Sequence, residues 1–236
     1  MGDWDKEAVK ELRGAVYRGD SVVELVRGRL TDDVLQLAGD GLLHAVAQGI
    51  PGANELAAQC AAALRDRLWW GDEELADQLG AAVGQGATPL LRTLPIDLQE
   101  LASILEGDPL YDEARIDLKT GQVWLHGPGY DIDDDADDED DGDAEGRWLY
   151  VENQGSHDGY RDMERFIATV KDPEIADRLE IAITGKGAFR RFKDVLARWP
   201  DEMARYFLLC EERQRGRARA WLAGKGYRPA GGSRLS

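Results

Sequence analysis

The sequence predicts an α+β fold: a helical N-terminal region over residues 1–94, then a small antiparallel sheet packed with helices over 95–228. Three observations carry this reading. Apolar residues recur at spacings of three and four through most of residues 5–94, the period of an amphipathic helix. Strict alternation replaces that spacing near 114–126 and 148–152, the period of a half-buried strand. Helical spacing then returns after Val151 and runs to Gly224.

The N-terminal elements follow in order. LTDDVLQLAGDGLLHAVAQGI sets Val34, Leu35, Ala38, Leu42 and Val46 along one side. Thr31 is the expected N-cap, and Gly49 before Pro51 the expected stop. The next helix carries Leu56, Cys60, Ala63, Leu64 and Leu68. Asp72 is expected to cap a third, with Leu75, Leu79 and Val83. Short glycine-containing turns join them, as in an antiparallel bundle or a short solenoid. The pair within 53–86 has the length of a tetratricopeptide repeat, but no signature positions recur.

LQELASIL after Pro95 is one more short helix. Ile116 and Leu118 then alternate, as do Val123 and Leu125, around the turn Lys119–Thr120–Gly121. Glycine at the end of such a turn supplies the positive φ of a bulged hairpin. WLYVE at 148–152 is the third strand. The run DIDDDADDEDDGDAE at 131–145 joins the second and third strands and is expected to be a disordered acidic loop. Beyond it, Ser156 is the expected cap of a helix with Tyr160, Met163, Phe166, Ile167 and Val170. Asp172–Pro173 opens the next helix. Ala188–Trp199 follows, with Phe189, Phe192, Leu196 and Trp199 on one face. Trp199–Pro200 ends it. A long last helix starts at Asp201, and the tail YRPAGGSRLS is expected to be flexible.

Charge narrows the function. The 236 residues carry 29 basic and 46 acidic side chains, a net −17. Residues 131–145 hold 11 of the acids. Residues 186–236 hold 13 basic and 5 acidic residues, a net +8, against −25 for residues 1–185. Such a field repels nucleic acid and anionic membrane from the bulk of the chain and leaves the C-terminal stretch as the exception. The N-terminus has no apolar signal segment, and nothing approaches the ~18 apolar residues of a membrane span, so a cytoplasmic protein is expected. Cys60 and Cys210 sit in apolar helical patterns and read as reduced core thiols.

Motifs for catalysis fail on inspection. His44, His126 and His157 stand apart, without metal-ligand spacing, and no cofactor or metal is expected. The acidic run misses the calcium-loop pattern, because Trp148 stands where the twelfth-position glutamate belongs. Thr184–Gly185–Lys186–Gly187 misses the phosphate-loop pattern at two positions. It keeps only glycines before a helix start, where backbone N–H groups face outward.

The helix at 188–199 carries more information. Its apolar face is opposed by Arg190, Arg191, Lys193 and Arg198, with Asp194 among them and Lys186 just before. Those five cations are the candidate site for an anionic partner: RNA, DNA or an acidic protein. EERQRGRAR in the last helix is equally basic, but Glu211 and Glu212 are expected to pair with Arg215 along a surface helix.

ARIDLKTGQVWL, WLYVE, YRDMERFIATV, GKGAFRRFKDVL and the terminal WL form a series. In this order they resemble a bacterial family known as Uncharacterised Protein Family 0158, over about residues 95–228, with GKGAFRRFKD the most specific part. The family has no established activity, so the resemblance implies an α+β unit and no catalytic residue. The long acidic run departs from the family's usual compact loop. The reading is a non-enzymatic cytoplasmic binding or regulatory protein that uses its basic helix. The alternatives are an enzyme with a site assembled near His126 and the helix after Ser156, or a docking scaffold in residues 1–94.

Overall fold

The computed structural model describes residues 4–16, 18–107, 113–126, 146–153, 155 and 157–230. The acidic run and Ser156 lie outside the described residues. The architecture is α+β. Five helices come first: α1 (Lys6–Ala15), α2 (Gly19–Val26), α3 (Leu35–Ala47), α4 (Ala53–Arg67) and α5 (Asp72–Ala82). Strand β1 (Arg92–Leu94) and α6 (Leu98–Leu105) lead into β2 (Glu113–Asp117), β3 (Val123–His126) and β4 (Trp148–Glu152). Then come α7 (His157–Thr169), α8 (Pro173–Ile183), α9 (Ala188–Leu196), α10 (Pro200–Gly224) and β5 (Tyr227–Pro229).

The three-stranded sheet has order β3-β2-β4 and is antiparallel throughout. Alternation sends Ala114, Ile116, Val123, Leu125, Leu149 and Val151 inward, where they pack with Leu98, Leu101, Leu105, Ala218 and Leu222. A second core joins α1–α5 around Leu12, Leu35, Leu42, Leu64 and Leu75, and a third joins α7–α9 around Phe166, Leu179 and Phe192. The 25-residue α10, about 37 Å long, touches all three: Leu208 lies in the second, Tyr206 in the third, and Ala218 and Leu222 under the sheet. Gly216 lets the α4–α5 loop cross it, since a Cβ there would lie 2.1 Å from the Trp70 carbonyl oxygen.

Several local expectations change. Thr31 does not cap α3; the helix starts at Leu35 with Val34 as N-cap and no side-chain cap of its own. Gly71, at φ 78°, is the N-cap of α5, and Asp72 is the first helical residue. Its carboxylate accepts from Trp69 N, at 2.8 Å, and from Arg67 and Gln36. Asp172 does cap α8, accepting from Glu174 N at 2.9 Å. The expected flexible tail begins too early: Tyr227–Pro229 pairs in parallel with Arg92–Leu94, and the Arg92 guanidinium stacks over the Tyr227 ring. Cys60 is fully buried, and burial pushes its thiol well up; Cys210 is half-buried and pushed up to about 12 by the same cause. Both are unreactive as thiolates at neutral pH. No helix among the described residues is long and apolar enough to cross a membrane.

Candidate functional site

The basic helix has an apolar and a polar face, but it ends at Leu196 rather than Trp199, so Arg198 and Trp199 lie in the corner before α10. Ala188, Phe192 and Leu196 are buried, and Phe192 meets Phe166 and Tyr206 edge-on at 6.3 and 4.8 Å between ring centroids. Lys186, Arg190, Arg191, Lys193 and Arg198 are all exposed. Arg190 and Asp194 stand 3.9 Å apart on the solvent side, 91% and 71% exposed, a pair too open to hold either charge firmly.

Arg191 differs from its neighbours. Its guanidinium donates to Ala182 O at 3.2 Å, Thr184 O at 2.6 Å and Gly185 O at 3.4 Å, and also to Lys186 O. These are carbonyls of the last turn of α8 and of the loop after it, which a helix end leaves without partners. The loop turns back through Gly185 and Gly187, both at positive φ. Its carbonyl oxygens therefore converge on a cation. That polarity is opposite to a phosphate loop, in which N–H groups converge on an anion. Arg191 is a clamp for the α8–α9 corner, not one more cation on an open face.

The basic segment of α10 is not a surface helix. Arg213 is buried and pairs with Asp162 of α7. Arg217 pairs with the same Asp162 at 2.9 Å and with Glu106, which also accepts from Gln214 at 2.6 Å. On the other side, Arg215 reaches Asp40 at 3.4 Å, and Arg219, fully buried, reaches Asp40 at 2.5 Å and Gln36 at 2.9 Å. Glu211 pairs with Arg215, as expected, and with Arg13 of α1. Glu212 does not take Arg215. It accepts from Gln36 N at 2.8 Å and Leu37 N at 3.0 Å, and pairs with Arg67 at 3.0 Å. This carboxylate, supplied across 175 residues of sequence, is what caps α3. Burial pushes the Glu212 carboxyl upward, and Arg67 with the two N–H groups pulls it back.

This series of elements, from the hairpin through the α8–α9 corner to α10, is what a family comparison can weigh. The family model of the Uncharacterised protein family (UPF0158) matches residues 114–235. The chain belongs to that family. In this UPF0158 member the match begins inside β2, so α6 lies outside it, although the resemblance was expected to start near residue 95. Nothing among the curated proteins or the solved structures matches the chain.

The remaining candidates are placed as follows. His44 is half-buried and lies 2.8 Å from the Gln48 side chain. His126 ends β3 opposite Glu113. A groove of about 510 Å³ runs along α4 to Val83 and Gln85, and a cleft of about 10 Å³ sits beside Glu106 and Arg217. Among the described residues no group of three His, Cys, Asp or Glu side chains is placed to hold a metal ion. Two features escaped the sequence reading. One is the α10 network, signalled by arginines and acids spaced by four. The other is a set of aromatics on the outward face of the sheet, Trp124 and Tyr150 in one row and Trp148 in the next, signalled by their parity against Val123, Leu149 and Val151.

Proposed function

We propose that this UPF0158 member is a non-enzymatic cytoplasmic binding module whose outward face of α9 contacts an anionic partner, nucleic acid or acidic protein. What carries this reading is the contrast in how the cations are used. Arg213, Arg215, Arg217 and Arg219 of α10 pair with internal carboxylates, whereas Lys186, Arg190, Lys193 and Arg198 stay in solvent on a chain of net −17. Arg191 leaves the contact set, because its guanidinium holds the loop before the helix. Phosphates or carboxylates bound there release counterions, so binding weakens steeply with salt.

The test is Lys186→Glu with Arg190→Glu and Lys193→Glu in the full chain, with Arg191 retained. Fluorescence anisotropy follows labelled duplex DNA, labelled RNA and labelled polyglutamate across a salt series. The reversal should abolish binding of the preferred probe. Unchanged affinity and an unchanged salt slope would show that the face is solvated surface only.

A further inference from the structure

The outward face of the three-stranded sheet carries aromatic rings where a strand facing water ordinarily carries polar residues. Register places Trp124 of β3, Arg115 of β2 and Tyr150 of β4 in one row. Trp148 stands in the row on one side, opposite Asp117, and Glu152 in the row on the other, opposite Glu113. The inner face has no use for these rings, because Val123, Leu125, Leu149 and Val151 already pack there with Leu101 and Leu222.

The three rings are not equivalent. Trp148 is half-buried and already holds cations: the Arg115 guanidinium lies 4.2 Å from its centroid and that of Arg147 lies 5.0 Å away. Arg147 also bonds Asp117 at 2.9 Å, so both guanidinium groups are committed within the chain. Trp124 meets Trp148 edge-on at 6.3 Å and is 42% exposed, and Tyr150 is 65% exposed. Among the described residues no cation stacks on Trp124 or Tyr150, and the exposed Glu152 makes no ion pair. The face thus collects guanidinium groups from its own chain and keeps two rings and a carboxylate open.

We propose that this face binds an arginine-bearing peptide segment, with one guanidinium over Trp124 and another over Tyr150 beside Glu152. Charge fits this occupant. Residues 1–185 carry a net −25, and the chain between β3 and β4 includes the 11 acids of 131–145. That field draws cations to the sheet and repels phosphates. A ring face attracts a guanidinium through its quadrupole, and the planar group stacks where an ammonium cannot. Spacing narrows the occupant further. Strands lie about 4.8 Å apart, so Trp124 and Tyr150, with β2 between them, stand roughly 10 Å from each other. In a polyproline II segment, residues three apart share a side and lie roughly 9 Å apart. Two arginines with two residues between them therefore match the two rings. The proposal concerns a surface other than α9 and does not depend on it.

The experiment titrates the full chain with a labelled peptide containing Arg-Pro-Pro-Arg. Its comparisons are an isomer with the two arginines adjacent, the Lys-Pro-Pro-Lys counterpart, and a labelled DNA single strand of about twelve nucleotides. Anisotropy and tryptophan quenching are read at about 50 mM salt, where the field is least screened. The spaced arginine peptide should bind more tightly than either of the other peptides. The double variant Trp124→Ala, Tyr150→Ala should weaken it about tenfold. Tyr150→Ala alone should weaken it about threefold with an unchanged melting temperature, and Tyr150→Phe, which keeps the ring, should restore binding. That pair decides the matter if the double variant fails to fold. Glu152→Gln should give a smaller loss in the same direction. Equal binding of the three peptides, or full binding by the ring variants, would show that net charge alone collects cations and would overturn the proposal. So would no binding of the spaced peptide, or binding of the single strand that the ring variants abolish.

Discussion

Helices α9 and α10 look alike as sequence and do opposite things. Both are rich in arginine and both follow a tight corner. In α9 the arginines oppose a single apolar stripe, so Arg190 points to water and the ion pair it makes is open. In α10 the arginines at 213, 215, 217 and 219 alternate in steps of two, about 200° around a helix. Steps of four therefore sort them into two stripes. Arg213 and Arg217 face α7 and Glu106, and Arg215 and Arg219 face α3. Charge on a helix becomes architecture when carboxylates stand opposite on both sides, and stays a surface when an apolar face takes one side.

The comparison breaks most visibly at Glu212. Glu212→Ala leaves Arg67 without one of its two buried carboxylates and uncaps α3. Both side chains of that pair are within 2% of full burial, so solvent screens little of the loss. Removing one partner of a buried pair costs about 3–5 kcal/mol, and loss of a cap adds about 1 kcal/mol. Chemical denaturation should show a large fall in midpoint or an insoluble chain. A midpoint near that of the wild type would mean that α10 does not secure the N-terminal helices.

Next in size is Phe192→Ala on the inner face of α9. Phe192 is fully buried against Phe166 and Tyr206. Truncation should cost about 3–5 kcal/mol, without the added cap term. A soluble variant with the wild-type melting temperature would mean that the aromatic cluster is not what seats the basic helix.

These two helices also mark how far the sequence could be read. The inner face of α9 was legible because Phe189, Phe192 and Leu196 repeat at helical spacing, and local period decides burial there. The strands were legible for the same reason, since Val123–Leu125 and Leu149–Val151 alternate. Asp172 was legible as a cap because its partners lie two and three residues on. The cap of α3 was not, because Glu212 is brought to Gln36 and Leu37 by packing alone. Expectation kept Glu212 on its own helix with Arg215, where a partner is cheapest in entropy. Tertiary packing offered two backbone N–H groups and a buried guanidinium instead. Sequence placed Arg190, Arg191 and Lys193 opposite the apolar stripe, and all three are exposed on α9; only the folded structure separates Arg191, whose acceptors are backbone carbonyls that carry no sequence signal.

The smallest effect sharpens that last distinction, within α9 itself. Arg190→Ala removes a side chain that is 91% exposed and touches Asp194 at 3.9 Å. An exposed pair of that kind contributes within about 0.5 kcal/mol, so the melting temperature should not move measurably. Arg191→Ala removes the donor to carbonyls of Ala182, Thr184, Gly185 and Lys186. Charge-assisted bonds of this sort contribute about 1–3 kcal/mol, and exposure of the side chain places the loss toward the lower end. The variant should melt earlier than Arg190→Ala. Amide hydrogen exchange should rise across residues 183–188 while the core of α9 stays protected. Equal melting temperatures and unchanged exchange would show that the positive-φ glycines hold the corner unaided. Arg191 would then rejoin the outward cations, and the face offered to an anionic partner would be one charge larger.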